Sequence, residues 1–208
     1  MEKEKTTGAG MGSPLKKNIK NRFSSKRLAF MAIFVALSLV VSYLEMPLPI
    51  LGADFLALDF GNVFITLVGF VLGPTEGVIV CLLKESLRLL TTKTAGSGEL
   101  ANFLITSAYI LLPSILYRYR KGFKVVLFSL CAACLIATEV ALLANRFIIF
   151  PAYAEVLGGS IFGMTVEEAF SAFWVALLIF NLIKTSLVSL FTVLLYKRLS
   201  NFLKKIKI

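Results

Sequence analysis

The sequence predicts an all-α integral membrane protein with six transmembrane helices and both termini cytoplasmic. Three observations carry that prediction: the excess of apolar residues, their grouping into six runs, and the placement of the basic residues. Of 208 residues, 58% are hydrophobic and 16% charged, and the mean hydropathy is +0.85; a soluble domain is about 45–50% apolar and about 25% charged. A net charge of +10 in a soluble chain would point to nucleic acid. Here 8 of the 22 Lys and Arg residues precede residue 28, 4 lie in 118–124 and 5 lie from residue 197 onward. Basic residues clustered between apolar runs mark the cytoplasmic side of a membrane, so no nucleic-acid partner is expected.

In chain order, the polar leader "MEKEKTTGAGMGSPLKKNIKNRFSSKR" is too long and too basic for a signal peptide and reads as a cytoplasmic tail, residues 1–27. The apolar runs at 28–44, 59–72, 75–91, 100–117, 123–145 and 170–196 are the six candidate spans. The second and third are parted only by "GPTEG", a Gly-Pro break. Each is at or below the ~20 residues of a full span, so both are expected to be short, tilted or irregular. The loops "EMPLPILGADFLALD" and "NRFIIFPAYAEVLGGSIFGMTVEE" are long and poor in basic residues, whereas "RYRKGFK" and the end "KRLSNFLKKIKI" are basic. Residues 28–199 therefore form one six-helix membrane domain lying in the lipid bilayer, followed by a basic cytoplasmic tail, 200–208. Long outer loops are where ligands bind or are covered, and the site is expected on that side.

The sequence contains no histidine, and its three cysteines all lie in apolar runs. "CAAC", Cys131 and Cys134, has redox or zinc spacing, but without other Cys or His nearby it reads as buried packing. No Ser–His pair or zinc-ligand set is available, no metal site is expected, and an enzyme is disfavoured. No G-x-x-x-x-G-K-[ST] loop occurs, so work against a gradient would have to come from a partner.

Charged and amide side chains inside apolar runs are the candidates for function, since a charge at the centre of a lone helix costs about 2.5–3.5 kcal/mol and usually faces a bundle interior. In "FWVALLIFNLIKTSLVSLFTVLLY", Lys184 is roughly 20 Å from the basic end of its helix, too far to snorkel. Asn181 and Lys184 share a helix face and offer donors and an acceptor to a polar ring edge or hydroxyls; otherwise Lys184 pairs with Glu139 or Glu99. In "GSGELANF", Glu99 and Asn102 are likewise three apart. Glu99 also suits a helix N-terminus as an anion, and Asn102 an interhelical hydrogen bond. Asn145 closes the fifth run before a set of aromatic residues that also fits an interfacial belt. "LKESLR" places Lys84 and Arg88 on one face beside Glu85, which favours an internal ion network over a transport path. "AIFVA" sets Ala32 and Ala36 on one face of the first span, where small residues allow close helix approach, either to a partner or within the bundle.

The stretches "AIFVA", "ALDFGNVFITLVGFVLGPTEG", "TTKTAGSGELANFL", "NRFIIFPAY" and "FNLIKTSLVSLFTVLLYKRLS" together resemble the S-components of energy-coupling-factor (ECF) vitamin transporters, in particular the riboflavin-binding branch, over nearly all of the chain after the leader. That resemblance implies six membrane helices in a prokaryotic cell membrane, with one vitamin molecule held near the outer face and no cofactor beyond that transported ligand. It implies that Asn145, Asn181 and Lys184 reach riboflavin, with Glu99 and Asn102 close by. Ala32 and Ala36 would dock on a transmembrane coupling subunit, and two cytoplasmic ATPase subunits would complete the transporter. The sequence departs from the pattern at Asn62 and Phe64, where Asp and Pro are more usual, and at Arg146, where Tyr is usual. An S-component for another vitamin, such as pantothenate or thiamine, is the nearest rival. A self-sufficient ion-coupled carrier relaying protons through Lys184, Glu139 and Glu85 is the rival of a different class.

Overall fold

Among the described residues the long apolar runs are helical. The computed structural model describes residues 24–53, 55–92 and 94–205, with 199–205 as backbone. The helices are α1 (Ser25–Ser42), α2 (Asn62–Val71), α3 (Pro74–Arg88), α4 (Ser97–Tyr119), α5 (Phe123–Ala144), α6 (Phe150–Val156) and α7 (Val166–Lys205). Helix α1 starts at Ser25 and α7 runs on to Lys205; of the expected tails, 1–23 and 206–208 lie outside the described residues. Among the described residues, four helical stretches are long and apolar enough to cross a membrane: Ser25–Ser42, Ser97–Tyr119, Phe123–Val156 and Val166–Arg198. Helix α2, with 10 residues, is only about 15 Å long, half of a hydrocarbon core.

The break between α2 and α3 is the expected one. Gly73 sits at φ +124°, open to glycine but not to L side chains, and Pro74 opens α3, where a missing N–H costs nothing. Close approach of the helices is set by two more glycines. A Cβ on Gly69 would lie 2.2 Å from Ser114 Oγ of α4, and one on Gly77 would lie 3.2 Å from the Gly69 Cα. On α5 the buried stripe Ala133, Ala137, Ala141 does the same for α4 and α7. Small residues at contacts suit a membrane bundle, where burial gains little over lipid and packing must supply the attraction.

Two features depart from the sequence reading. The loop between α1 and α2 contains a small hairpin, β1 (Met46–Pro47) with β2 (Ala57–Leu58), in antiparallel register with Met46 opposite Leu58. The second departure is larger: the fifth run does not end at Asn145 in a loop. It continues through a π-helical turn, Asn145–Ile149, into α6. The Phe150 N–H bonds the Asn145 carbonyl five residues back, and the wider turn accommodates Pro151, whose ring would clash with the preceding turn of a regular α-helix.

Apolar packing falls into two clusters separated by a polar layer. One joins α1–α5 to the C-terminal half of α7. At its end Phe70, Tyr117 and Tyr196 pack ring to ring with centroids 5.1–5.9 Å apart, and the two tyrosine hydroxyls share a 3.0 Å hydrogen bond. The other brings Ala53, Leu56 and Leu58 of the hairpin region onto Phe150 and Ala154 of α6 and onto Ala176, Leu177 and Phe180 of α7. The hairpin thereby covers one end of the bundle.

Candidate functional site

Between the clusters, α1, α2, α3, α4 and α7 each contribute polar side chains to one network. Asp59, just after β2, is buried; its Oδ1 accepts from Ser42 Oγ of α1 at 2.6 Å and from the Gly61 N–H at 2.8 Å. Its Oδ2 accepts from Lys84 Nζ and, at 3.0 Å, from Asn102 Nδ2. Lys84 has no solvent exposure and also donates to Glu85 Oε1 at 2.6 Å. Arg88, one turn on, donates to Glu45 Oε2 at 2.6 Å and lies 3.7 Å from Asp59. The i, i+4 spacing of Lys84 and Arg88 thus forms the ion network expected from "LKESLR", and the acidic partners come from outside that helix as well as within it.

Asn102 is the junction. Its Nδ2 donates to Asp59 Oδ2 and Glu85 Oε1, and its Oδ1 accepts from Lys184 Nζ at 2.8 Å, Asn62 Nδ2 at 3.1 Å and Thr106 Oγ1 at 3.3 Å. This orientation is chemically forced: ionised carboxylates only accept, so the amide must turn its NH2 toward Asp59 and Glu85 and its carbonyl toward Lys184. Asn62 must then turn its own NH2 toward Asn102, and its Oδ1 is left buried with no partner.

Lys184 is therefore placed differently from either carboxylate pairing considered for it. It bonds an amide. Glu139 lies exposed on α5, and Glu99 Oε2 is taken by Thr92 Oγ1 at 2.8 Å and Thr94 Oγ1 at 3.1 Å, tying down the turn that opens α4. Glu99 acts here as an anion at a helix start, without a hydrogen bond to Asn102. Asn145 and Asn181 are both buried, and each donates back to its own helix, to Ala141 O and Leu177 O at 2.8 Å. The Asn181 Oδ1 is left unpaired, so α7 presents an open acceptor and, three residues on, an ammonium holding one hydrogen bond. Beside them a cavity of about 10 Å3, room for about one water molecule, is lined by Asn62, Thr106, Tyr109, Lys184 and Thr185 among others.

Other predicted residues lie away from this layer. Ala32 and Ala36 are exposed on the surface of α1 with Ile33 and Leu37, not packed inside the bundle. Arg146 stacks 5.4 Å from the rings of Phe147 and Phe170 and pairs with Glu167 at 3.5 Å, an exposed clasp between the π turn and the start of α7. Cys131 and Cys134 are free thiols; Cys134 is buried as expected, whereas Cys131 is exposed on α5 and does not pack inside the bundle. Sequence reading gave no role to Asp59, Ser42 or Thr106. The signal for Asp59 was present as a carboxylate at the start of an apolar run, a position that demands a partner.

Residues 26–196 match the family described as ECF transporter, substrate-specific component. The chain belongs to that family. Over 188 residues it is 32% identical to the riboflavin transporter RibU of Staphylococcus aureus (strain TCH60), a match covering 89% of this chain and 96% of that one. Over 183 residues it is 25% identical to the riboflavin transporter FmnP of Bacillus subtilis (strain 168), covering 86% and 95%. A solved structure of the S component of a bacterial ECF transporter superposes with a TM-score of 0.71 at 32% identity, covering 86% of this chain and 98% of that one.

Proposed function

We propose that this chain is the riboflavin-binding subunit of an ECF-type uptake transporter in a prokaryotic cell membrane. It takes riboflavin at the outer face and releases it inward when a transmembrane coupling subunit and two cytoplasmic ATPase subunits supply the work. The observation that carries the reading is the α7 pair, in which a buried ammonium makes one hydrogen bond and a buried amide oxygen three residues away makes none. Riboflavin has a flat ring with apolar faces, a hydrogen-bonding rim and a hydroxylated tail, and a few convergent polar groups in an apolar site suit it. The two relatives named as riboflavin transporters support the same ligand. Asn145, Asn181, Lys184 and Asn102 are the proposed contacts, and Glu99 holds the turn beside them. Capture requires the hairpin to lift from α6 and α7, since Ala53, Leu56 and Leu58 pack directly onto them. Titration of the purified protein with riboflavin, followed by quenching of flavin fluorescence, tests the reading: saturable quenching at one site per chain is expected, and its absence overturns it. The ion-coupled carrier gains no support, because Lys84 and Arg88 are held by carboxylates and Glu139 lies on the outer surface of α5.

The proposed topology has six membrane passes, with α2 and α3 as short ones and both termini cytoplasmic. It is supported by the basic clusters at 16–27, 118–124 and 197–207. In a cysteine-free background, Leu157→Cys is expected to react with an impermeant thiol reagent in intact cells and Arg120→Cys is not. The reverse pattern would overturn the orientation.

Docking through Ala32 and Ala36 is supported by their exposure on α1. Replacing both with Leu adds bulk where a partner helix must come close. Uptake by the assembled transporter is expected to collapse, while riboflavin affinity of the isolated subunit stays within about twofold, well below a lost hydrogen bond. Loss of both together would assign the pair to bundle packing.

A further inference from the structure

We infer that Asn62 is a ligand-contacting residue whose Oδ1 accepts a hydrogen bond from an N–H or O–H of the ligand, next to a ligand acceptor that takes Lys184. The inference rests on the riboflavin reading above and adds a contact from α2, which that reading leaves outside the site. Three observations carry it. Asn62 is 2% exposed, and its Nδ2 is committed to Asn102 Oδ1 at 3.1 Å. Its Oδ1 is buried without a partner, and the two carboxylates that orient Asn102 forbid the flipped arrangement, so the free atom is an acceptor and what it lacks is a donor. Finally, Asn62 lines the same small cavity as Lys184, whose ammonium has two hydrogens beyond the one given to Asn102.

Asn62 and Lys184 meet at the same Asn102 oxygen, one with a free acceptor and the other with hydrogens to spare, and such a pair is a two-point reader. The cavity of about 10 Å3 has a mostly apolar wall and holds no ring, so a ligand edge reaches these two residues only when the side chains around them move apart. Thr106 and Thr185 each donate their hydroxyl hydrogen elsewhere, to Asn102 Oδ1 and to Asn181 O, and so add only acceptors at this spot. The unmet demand beside Asn62 is thus for hydrogens, and the ligand group that answers it is a donor. Riboflavin carries such a donor in two places: the ring imide N–H, flanked by carbonyls that could take Lys184, and the ribityl hydroxyls.

The test compares the dissociation constants of riboflavin, N3-methylriboflavin and lumiflavin, which lacks the ribityl chain, for the whole chain and for Asn62→Leu, with Asn62→Ala in its place if the leucine protein does not fold. Because each number is a ratio of two affinities on the same folded protein, a change in stability alone does not move it. If Asn62 reads the imide, the unsubstituted protein disfavours N3-methylriboflavin by roughly 5- to 150-fold, the cost of one buried unpaired group. That ratio then falls toward one in Asn62→Leu while the lumiflavin ratio holds. If Asn62 reads a hydroxyl, the lumiflavin ratio falls instead. Asn62→Asp keeps an acceptor at the position and is expected to retain whichever discrimination the leucine variant loses. Ratios unchanged by Asn62→Leu would overturn the inference and leave Asn62 as a support for Asn102. Failure of the unsubstituted chain to bind riboflavin at all would instead strike the functional reading.

Discussion

Lys84→Met is expected to cost about 3–5 kcal/mol of stability, the range for removing one partner of a buried ion pair. Lys84 has no solvent exposure, and its ammonium lies between Asp59 and Glu85. Taking it away leaves two carboxylates facing each other inside a bundle, with Asn102 and Ser42 as neutral donors and Arg88 the nearest remaining cation, 3.7 Å from Asp59. The effect reaches several helices, because Asp59 also holds the end of α1 through Ser42 and the entry to α2 through the Gly61 N–H. Thermal unfolding in detergent without ligand reads the loss. A second variant separates charge from packing: adding Asp59→Asn to Lys84→Met removes one of the stranded charges and is expected to recover part of the lost stability, whereas Asp59→Asn alone is destabilising. A double variant as unstable as the sum of the two single ones would show that the residues act independently, and the coupling assigned to this network would fail.

Much of the fold was legible in the sequence because a membrane imposes it. Each apolar run had to satisfy its backbone internally and became helix, and "GPTEG" could only interrupt one. What escaped was local geometry fixed by distant contacts. The hairpin strands Met46–Pro47 and Ala57–Leu58 are two residues each and carry no period, so their pairing reflects how the loop packs on α6 and α7. The continuation past Asn145 was hidden by Pro151, which reads as a stop unless a π turn precedes it.

The site was legible as residue types and opaque as partners. Polar side chains in apolar runs had to converge, and Asn102 with Lys184 did; the 82 positions between them leave no spacing signal. Glu139 and Lys184 looked like a pair only because charge was visible and direction was not. The helix turns Glu139 outward with Leu135 and Ile136. Asp59 was missed for the complementary reason, since it stands at the edge of a run where a carboxylate resembles a loop residue.

Lys184→Met provides the contrast that decides what this lysine is for. Its ammonium gives one hydrogen bond, to Asn102 Oδ1, and that oxygen keeps Asn62 Nδ2 at 3.1 Å and Thr106 Oγ1 at 3.3 Å when the lysine is gone. Among the described residues no carboxylate lies within ion-pair distance of Lys184 to be stranded, so the unliganded protein is expected to lose far less stability than Lys84→Met loses. Binding responds differently. If riboflavin presents an acceptor to Lys184, methionine leaves that acceptor buried and unpaired at about 1–3 kcal/mol, roughly 5- to 150-fold in affinity. Asn181→Leu is expected to weaken binding by a similar factor, because it removes the unpaired Oδ1 on the same helix face. Thermal unfolding without ligand, set beside riboflavin titration of the same preparations, gives each variant two coordinates. Lys84→Met should move mainly along stability and Lys184→Met mainly along affinity. A lysine variant of normal affinity and greatly reduced unliganded stability would make Lys184 a structural element of the Asn102 junction and remove it from the binding site.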